Sequence, residues 1–153
     1  MSILEILSPE NEVFRAYGFW ASVLVLKVLG MAVLTSMARK KKKAINNPED
    51  RVFLKPEDQN VELTSSDPDV ERVRRAHLND LENCIPFLII SFVYVLTNPS
   101  TFIGVNLIRI GVVSRIVHSY SYLNALQPYR GYGFGITFLV MIYMSLSNIL
   151  YFL

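Results

Sequence analysis

Cysteine is almost absent from this chain of 153 residues: Cys84 stands alone, so no intrachain disulfide can staple the fold. It opens an apolar run and reads as a small buried hydrophobe. Histidine is nearly as scarce. His77 and His118 share no ligand spacing with each other or with the acids, which excludes a metal centre. Charge is missing altogether between Gly131 and Leu153. The opening residues, Met1-Ser2-Ile3-Leu4-Glu5, lack the positive region of a cleavable signal, so the first apolar stretch is expected to be a retained anchor. Asn98-Pro99-Ser100 is no glycosylation acceptor, because proline fills its middle position.

What the chain has instead is apolar length. Hydrophobic residues make up 52% of it, more than a soluble domain of this size carries. Four stretches read as membrane-spanning helices, at about 13–38, 67–97, 102–123 and 131–153, with a polar loop over 39–66. The fold class that follows is all-α: an integral membrane four-helix bundle, one domain over 1–153. Pro48 and Pro56 limit the loop to fragments of helix. Asp67-Pro68 pairs an N-cap with the residue favoured in the first helical turn, and starts the second span.

The net charge is only +2, but its placement is lopsided. Arg39-Lys40-Lys41-Lys42-Lys43 directly follows the first span. A basic block in that position marks the cytoplasmic side of a membrane rather than a nucleic-acid surface. With the loop inside, the turn carrying Arg130 is also inside, and both termini face out or into a lumen. Arg39, Arg74, Arg75, Arg115 and Arg130 then gather at one end of the bundle.

The second span is the most informative. Its apolar part, Cys84 to Leu96, is too short to cross a bilayer, which takes roughly 20 helical residues. The charged half before it must therefore belong to the same helix, and ionisable groups at membrane depth point to function. Arg72, Arg75, Asn79, Glu82 and Pro86 share one face, at spacings of three and four; Arg74 and His77 lie on another. Two polar faces need two polar partners, and a neighbouring subunit is one source for the second. In the third span, Arg115, His118 and Tyr122 form a stripe, while Arg109 can snorkel to the opposite surface. Lys27, midway along the first span, is expected to form a structural salt bridge with Asp80. Gly131, Gly133 and Gly135 include a Gly-x-x-x-Gly spacing that permits close helix packing. Guanidiniums around a pocket suit a small, multiply anionic ligand entering from the cytoplasm, and a bilayer wall beside it suits an apolar second substrate. If that ligand bears a thiol, a nearby arginine favours its thiolate.

The run Glu71-Arg72-Val73-Arg74-Arg75-Ala76-His77-Leu78-Asn79-Asp80-Leu81-Glu82-Asn83, followed by Ile85-Pro86-Phe87-Leu88, closely resembles the signature of the membrane-associated proteins in eicosanoid and glutathione metabolism, the MAPEG family. Asn47-Pro48-Glu49-Asp50, Arg115 to Leu123, and Gln127-Pro128 with Arg130 extend the resemblance over nearly the whole chain. The resemblance implies a homotrimer, with glutathione as co-substrate bound between subunits near the cytoplasmic face. On matching positions, Arg39, Arg74, Arg75, His77, Asn79, Glu82, His118 and Tyr122 would bind glutathione. Arg130 and Arg115 would be catalytic, the first stabilising the thiolate and the second supporting the pocket.

Within the family the chain is most similar to the glutathione transferases. Prostaglandin E synthases, which are isomerases, carry an arginine where Leu78 stands, a serine where Gly131 stands and a tyrosine where Phe134 stands. Some transferases carry a reactive cysteine after the Asn-Pro-Glu-Asp motif, and here Arg51 occupies that place. The implied activity is conjugation of glutathione to hydrophobic electrophiles, with glutathione-dependent peroxidase activity beside it. Synthesis of prostaglandin E or leukotriene C is the alternative reaction, and a non-catalytic lipid-binding partner protein the alternative of another class. The implied place is the endoplasmic reticulum membrane, or the mitochondrial outer membrane, with the site facing the cytosol.

Overall fold

The computed structural model describes residues 2–44, 47–54, 56–58 and 67–153. Its elements are a one-turn helix α1 (Ile3–Ile6), four long helices α2 (Glu12–Lys42), α3 (Pro68–Leu96), α4 (Thr101–Leu123) and α5 (Tyr129–Phe152), and two short 3-10 segments, Pro48–Phe53 and Pro56–Asp58. Among the described residues there is no strand. All four long helices have the length and apolar composition to cross a bilayer. The outward side chains along the middle of α2 and along α5 are greasy, among them Leu26, Leu29 and Val33 on α2 and Leu146 and Leu150 on α5. A helix apolar all round belongs in lipid.

Local chemistry sets the helix ends. The Asn11 side chain accepts from the amides of Val13 (2.9 Å) and Phe14 (3.1 Å), which starts α2. Asp67 does the same for Asp69 and Val70 ahead of Pro68, as the Asp-Pro pair predicted. The expected end of the first span at residue 38 falls short: α2 continues through Arg39, Lys40, Lys41 and Lys42 to a left-handed cap at Lys43. Lysine and arginine form helix readily, and cations are favoured at a helix C-terminus by the macrodipole. The loop does hold fragments of helix, the two 3-10 segments, while residues 45–46, 55 and 59–66 of the loop expectation lie outside the described residues. The small helix α1, closed by a reciprocal Ser2–Glu5 capping box, was not read from the sequence.

The core runs along the inner stripes of the bundle. Leu24 of α2, Cys84 and Phe87 of α3, Ile108 and Val112 of α4, and Met144 of α5 are all enclosed. Two glycines let helices approach. A Cβ at Gly111 would collide with the Phe87 ring. At Gly133 it would lie 2.8 Å from the Ser114 carbonyl oxygen and 2.9 Å from the His118 nitrogen, so α5 lies directly on the α4 backbone there. Of the three glycines expected to permit close packing, Gly133 does so and the other two do not: a Cβ at Gly135 meets nothing within 4 Å, and at Gly131 only the Gln127 side chain at 3.9 Å. The tight approach falls midway between the two spaced glycines, on the opposite face of the helix.

Candidate functional site

The inner stripe of α3 runs through Val70, Ala76, Asp80, Cys84 and Phe87. Asp80 is the only acid on it and is fully buried. Its carboxylate accepts from the Arg115 Nη2 at 2.7 Å and from the Ser119 hydroxyl at 2.9 and 3.1 Å, and it forms an ion pair with Lys27. One carboxylate thus ties α2, α3 and α4 together. The Lys27–Asp80 pair expected from the sequence is present; its third and fourth members, Arg115 and Ser119, were missed. Arg115 is itself fully enclosed, and its Nη2 also donates to Asn79, at 2.9 Å to the side-chain oxygen and 3.3 Å to the carbonyl.

The other predicted residues fall into three groups. Arg39, Arg74 and His77 line a cavity of about 530 Å³ between the end of α2, the first 3-10 segment and α3. Lys40, Asp50, Phe53 and Leu54 share its wall, with the Lys40 ammonium 4.9 Å from the centre of the Phe53 ring. Arg74 is forked onto Glu71, at 2.8 to 3.1 Å, whereas the shielded Arg39 Nε has no hydrogen-bond partner among the described residues. Ala32, Leu78 and Leu81 add an apolar part to the lining. The sequence signal for its Asp50 and Phe53 wall was the Asn-Pro-Glu-Asp run, which positions the 3-10 segment through Pro48.

The second group sits where α4 meets α5. His118, nearly buried, places Nδ1 2.9 Å from the Arg130 carbonyl oxygen. A carbonyl only accepts, so Nδ1 carries the proton. The Arg130 guanidinium lies 4.7 Å from the centre of the Tyr122 ring. Gln127 turns its amide oxygen toward it, accepting at 3.0 Å from Nε and 2.8 Å from Nη2, the orientation an arginine demands because it can only donate. No carboxylate of the described residues pairs with Arg130.

The third group, Arg75, Asn79 and Glu82, lies on the outer face of α3, with Arg75 and Glu82 exposed. The stripe continues through exposed Pro86 and Ile89 into a groove of about 600 Å³ against Phe138 and Ile142 of α5. A single chain therefore does not bring the eight predicted ligand residues into one pocket. It presents a cationic cavity on one side of α3 and a polar stripe with the Arg130 cluster on others. Arg109, expected to snorkel, is exposed.

Residues 17–150 match the MAPEG family. The chain is 40% identical over 147 residues to microsomal glutathione S-transferase 1 of Sus scrofa and to that of Homo sapiens, covering 93% of this chain and 94% of each relative. It is 35% identical over 128 residues to prostaglandin E synthase of Rattus norvegicus, covering 84% of this chain and 81% of that protein.

Proposed function

This protein belongs to the MAPEG family, and we propose that it is a membrane-bound glutathione transferase that joins the glutathione thiolate to hydrophobic electrophiles reaching it from the bilayer. The observation that carries the reading is Arg130. It is a guanidinium braced by Tyr122 and Gln127, held at its main chain by His118, and free of any carboxylate among the described residues. A fixed, uncompensated cation in a partly shielded site is what a developing or resident thiolate requires.

Glutathione carries two carboxylates, an ammonium and a thiol. The cavity of Arg39, Arg74 and His77 suits one anionic end, and Arg75, Asn79 and Glu82 supply donors and an acceptor for the rest. Because these groups occupy different faces, the complete site is formed between neighbouring subunits of a homotrimer, with the cavity of one protomer facing Tyr122 and Arg130 of the next. The basic end of α2 supports a cytosolic orientation for the site, in the endoplasmic reticulum membrane or, as a second location, the mitochondrial outer membrane. Lipid hydroperoxides are a second substrate class, since the same thiolate can reduce them. Isomerisation of a prostaglandin endoperoxide is disfavoured by Phe134, which stacks on Phe138 with rings 5.8 Å apart and brings no hydroxyl to the site.

The test is Arg130→Ala in detergent-purified protein. The variant keeps its assembly and most of its glutathione binding, yet loses the thiolate absorbance and most turnover at neutral pH. Each unit by which the thiol pKa rises costs about 1.4 kcal/mol of thiolate stabilisation, so raising the pH restores part of the rate. Wild-type turnover at neutral pH would leave Arg130 as a membrane-surface anchor.

A further inference from the structure

We infer that Asp80 is a positioning residue for ligand binding, acting through Arg115 to lock the Asn79 amide with its NH2 group outward, so that Asn79 offers a hydrogen-bond donor and recognises an acceptor oxygen of glutathione. The inference deepens the glutathione reading and rests on it.

The chain of contacts is short. Asp80 fixes Arg115 at 2.7 Å, with Ser119 holding both carboxylate oxygens and Lys27 paired to one of them. Arg115 then reaches the Asn79 side chain at 2.9 Å. An arginine has no acceptor, so the Asn79 atom that faces it must be the oxygen. The backbone of the same residue is held as well: its carbonyl accepts from Asn83 Nδ2 at 2.7 Å and from Arg115 at 3.3 Å. With its oxygen consumed on the inner side, Asn79 has only N–H groups left for the outer face, between Arg75 and Glu82. Next to Arg75 this makes a donor pair suited to a carboxylate or peptide carbonyl, while Glu82 one turn on is the group suited to an ammonium.

Arg115 and Asp80 are both completely enclosed, so neither can touch a ligand entering from solvent. Their effect on binding must pass through Asn79. Ser119 and Lys27 serve the same end by removing the rotational freedom of the carboxylate. The buried group carries two cations to one carboxylate, which gives Arg115 a second reason to seek the Asn79 oxygen.

Asn79→Asp distinguishes the two orientations. It keeps an oxygen for Arg115 but removes the outward donors. The variant is expected to unfold at or above the wild-type temperature and to bind glutathione at least ten-fold more weakly. Binding equal to or tighter than wild type would mean that Asn79 faces the ligand with its oxygen, and would overturn the proposal. For Asp80, Lys27→Met is compared with Lys27→Met/Asp80→Asn, the second restoring the wild-type surplus of one buried cation. Asp80→Asn in that background should weaken glutathione binding roughly ten-fold, and the loss should vanish when Asn79 is already alanine. No loss, or a full loss persisting in the Asn79→Ala background, would overturn it. A wild-type protein that binds no glutathione defeats the function reading instead. The clamp is then judged on stability alone, and an Asn79→Asp melting point below that of Asn79→Ala would overturn it.

Discussion

Arg115 and Arg130, both placed in the catalytic pair by resemblance, are spent differently by the fold. Arg115 turns one nitrogen, Nη2, inward onto Asp80 and Asn79; Arg130 lies on the Tyr122 ring with no counter-ion among the described residues. Burial explains the division, since a guanidinium at membrane depth must find oxygen acceptors inside the protein. The outer stripe of α3 is different again. Arg75 and Glu82 are exposed in one chain, and a structural role would leave them replaceable. As ligand residues they are not. Arg75→Ala and Glu82→Gln should each cost about 1.5–3 kcal/mol of glutathione binding, the worth of one charge-assisted hydrogen bond, with the helical circular dichroism unchanged. Calorimetric titration that finds wild-type affinity in both variants would remove this stripe from the site. Single residues were legible in the sequence where spacing alone decides: Lys27 in mid-span has few partners to choose from, and it finds Asp80. The convergence of Arg115 and Ser119 on the same carboxylate was not legible, because it depends on how α4 is rotated against α3.

Helices were legible from apolar length, proline and capping residues, and their ends less so. The basic block that marks a membrane boundary also continues the helix, so a reading by hydropathy stops α2 at residue 38 when hydrogen bonding carries it to Lys42. Close packing between helices was read from three glycines, of which only Gly133 makes the contact. Small-residue spacing names a helix face, but which face meets a neighbour is fixed by the turn before it, here Gln127-Pro128 and the His118 contact to Arg130. Gly133→Ala should therefore push α5 off the α4 backbone and destabilise the protein by about 1–3 kcal/mol, the usual cost of overpacking. Gly131→Ala, with open space around its Cβ, should leave the melting temperature near wild type or raise it slightly. Thermal unfolding in detergent reads both. Equal effects of the two substitutions would contradict the α4–α5 contact described.

For the whole molecule, the proposed ligand residues surround α3 rather than converge within one chain. That dispersion was half visible in the sequence as the two polar faces of the second span. It follows that activity should belong to an assembly, with a protein mass three times the 17.5 kDa of the chain. The proposed site draws on both the cavity of Arg39 and His77 and the Arg130 cluster. The most direct measurement is the glutathione-dependent conjugation of a chloronitrobenzene by the detergent-purified protein, with its assembly mass recorded on the same sample. The account predicts a trimer whose conjugation rate saturates with glutathione and far exceeds the uncatalysed reaction at neutral pH. A folded trimer that binds glutathione and does not accelerate conjugation would contradict it.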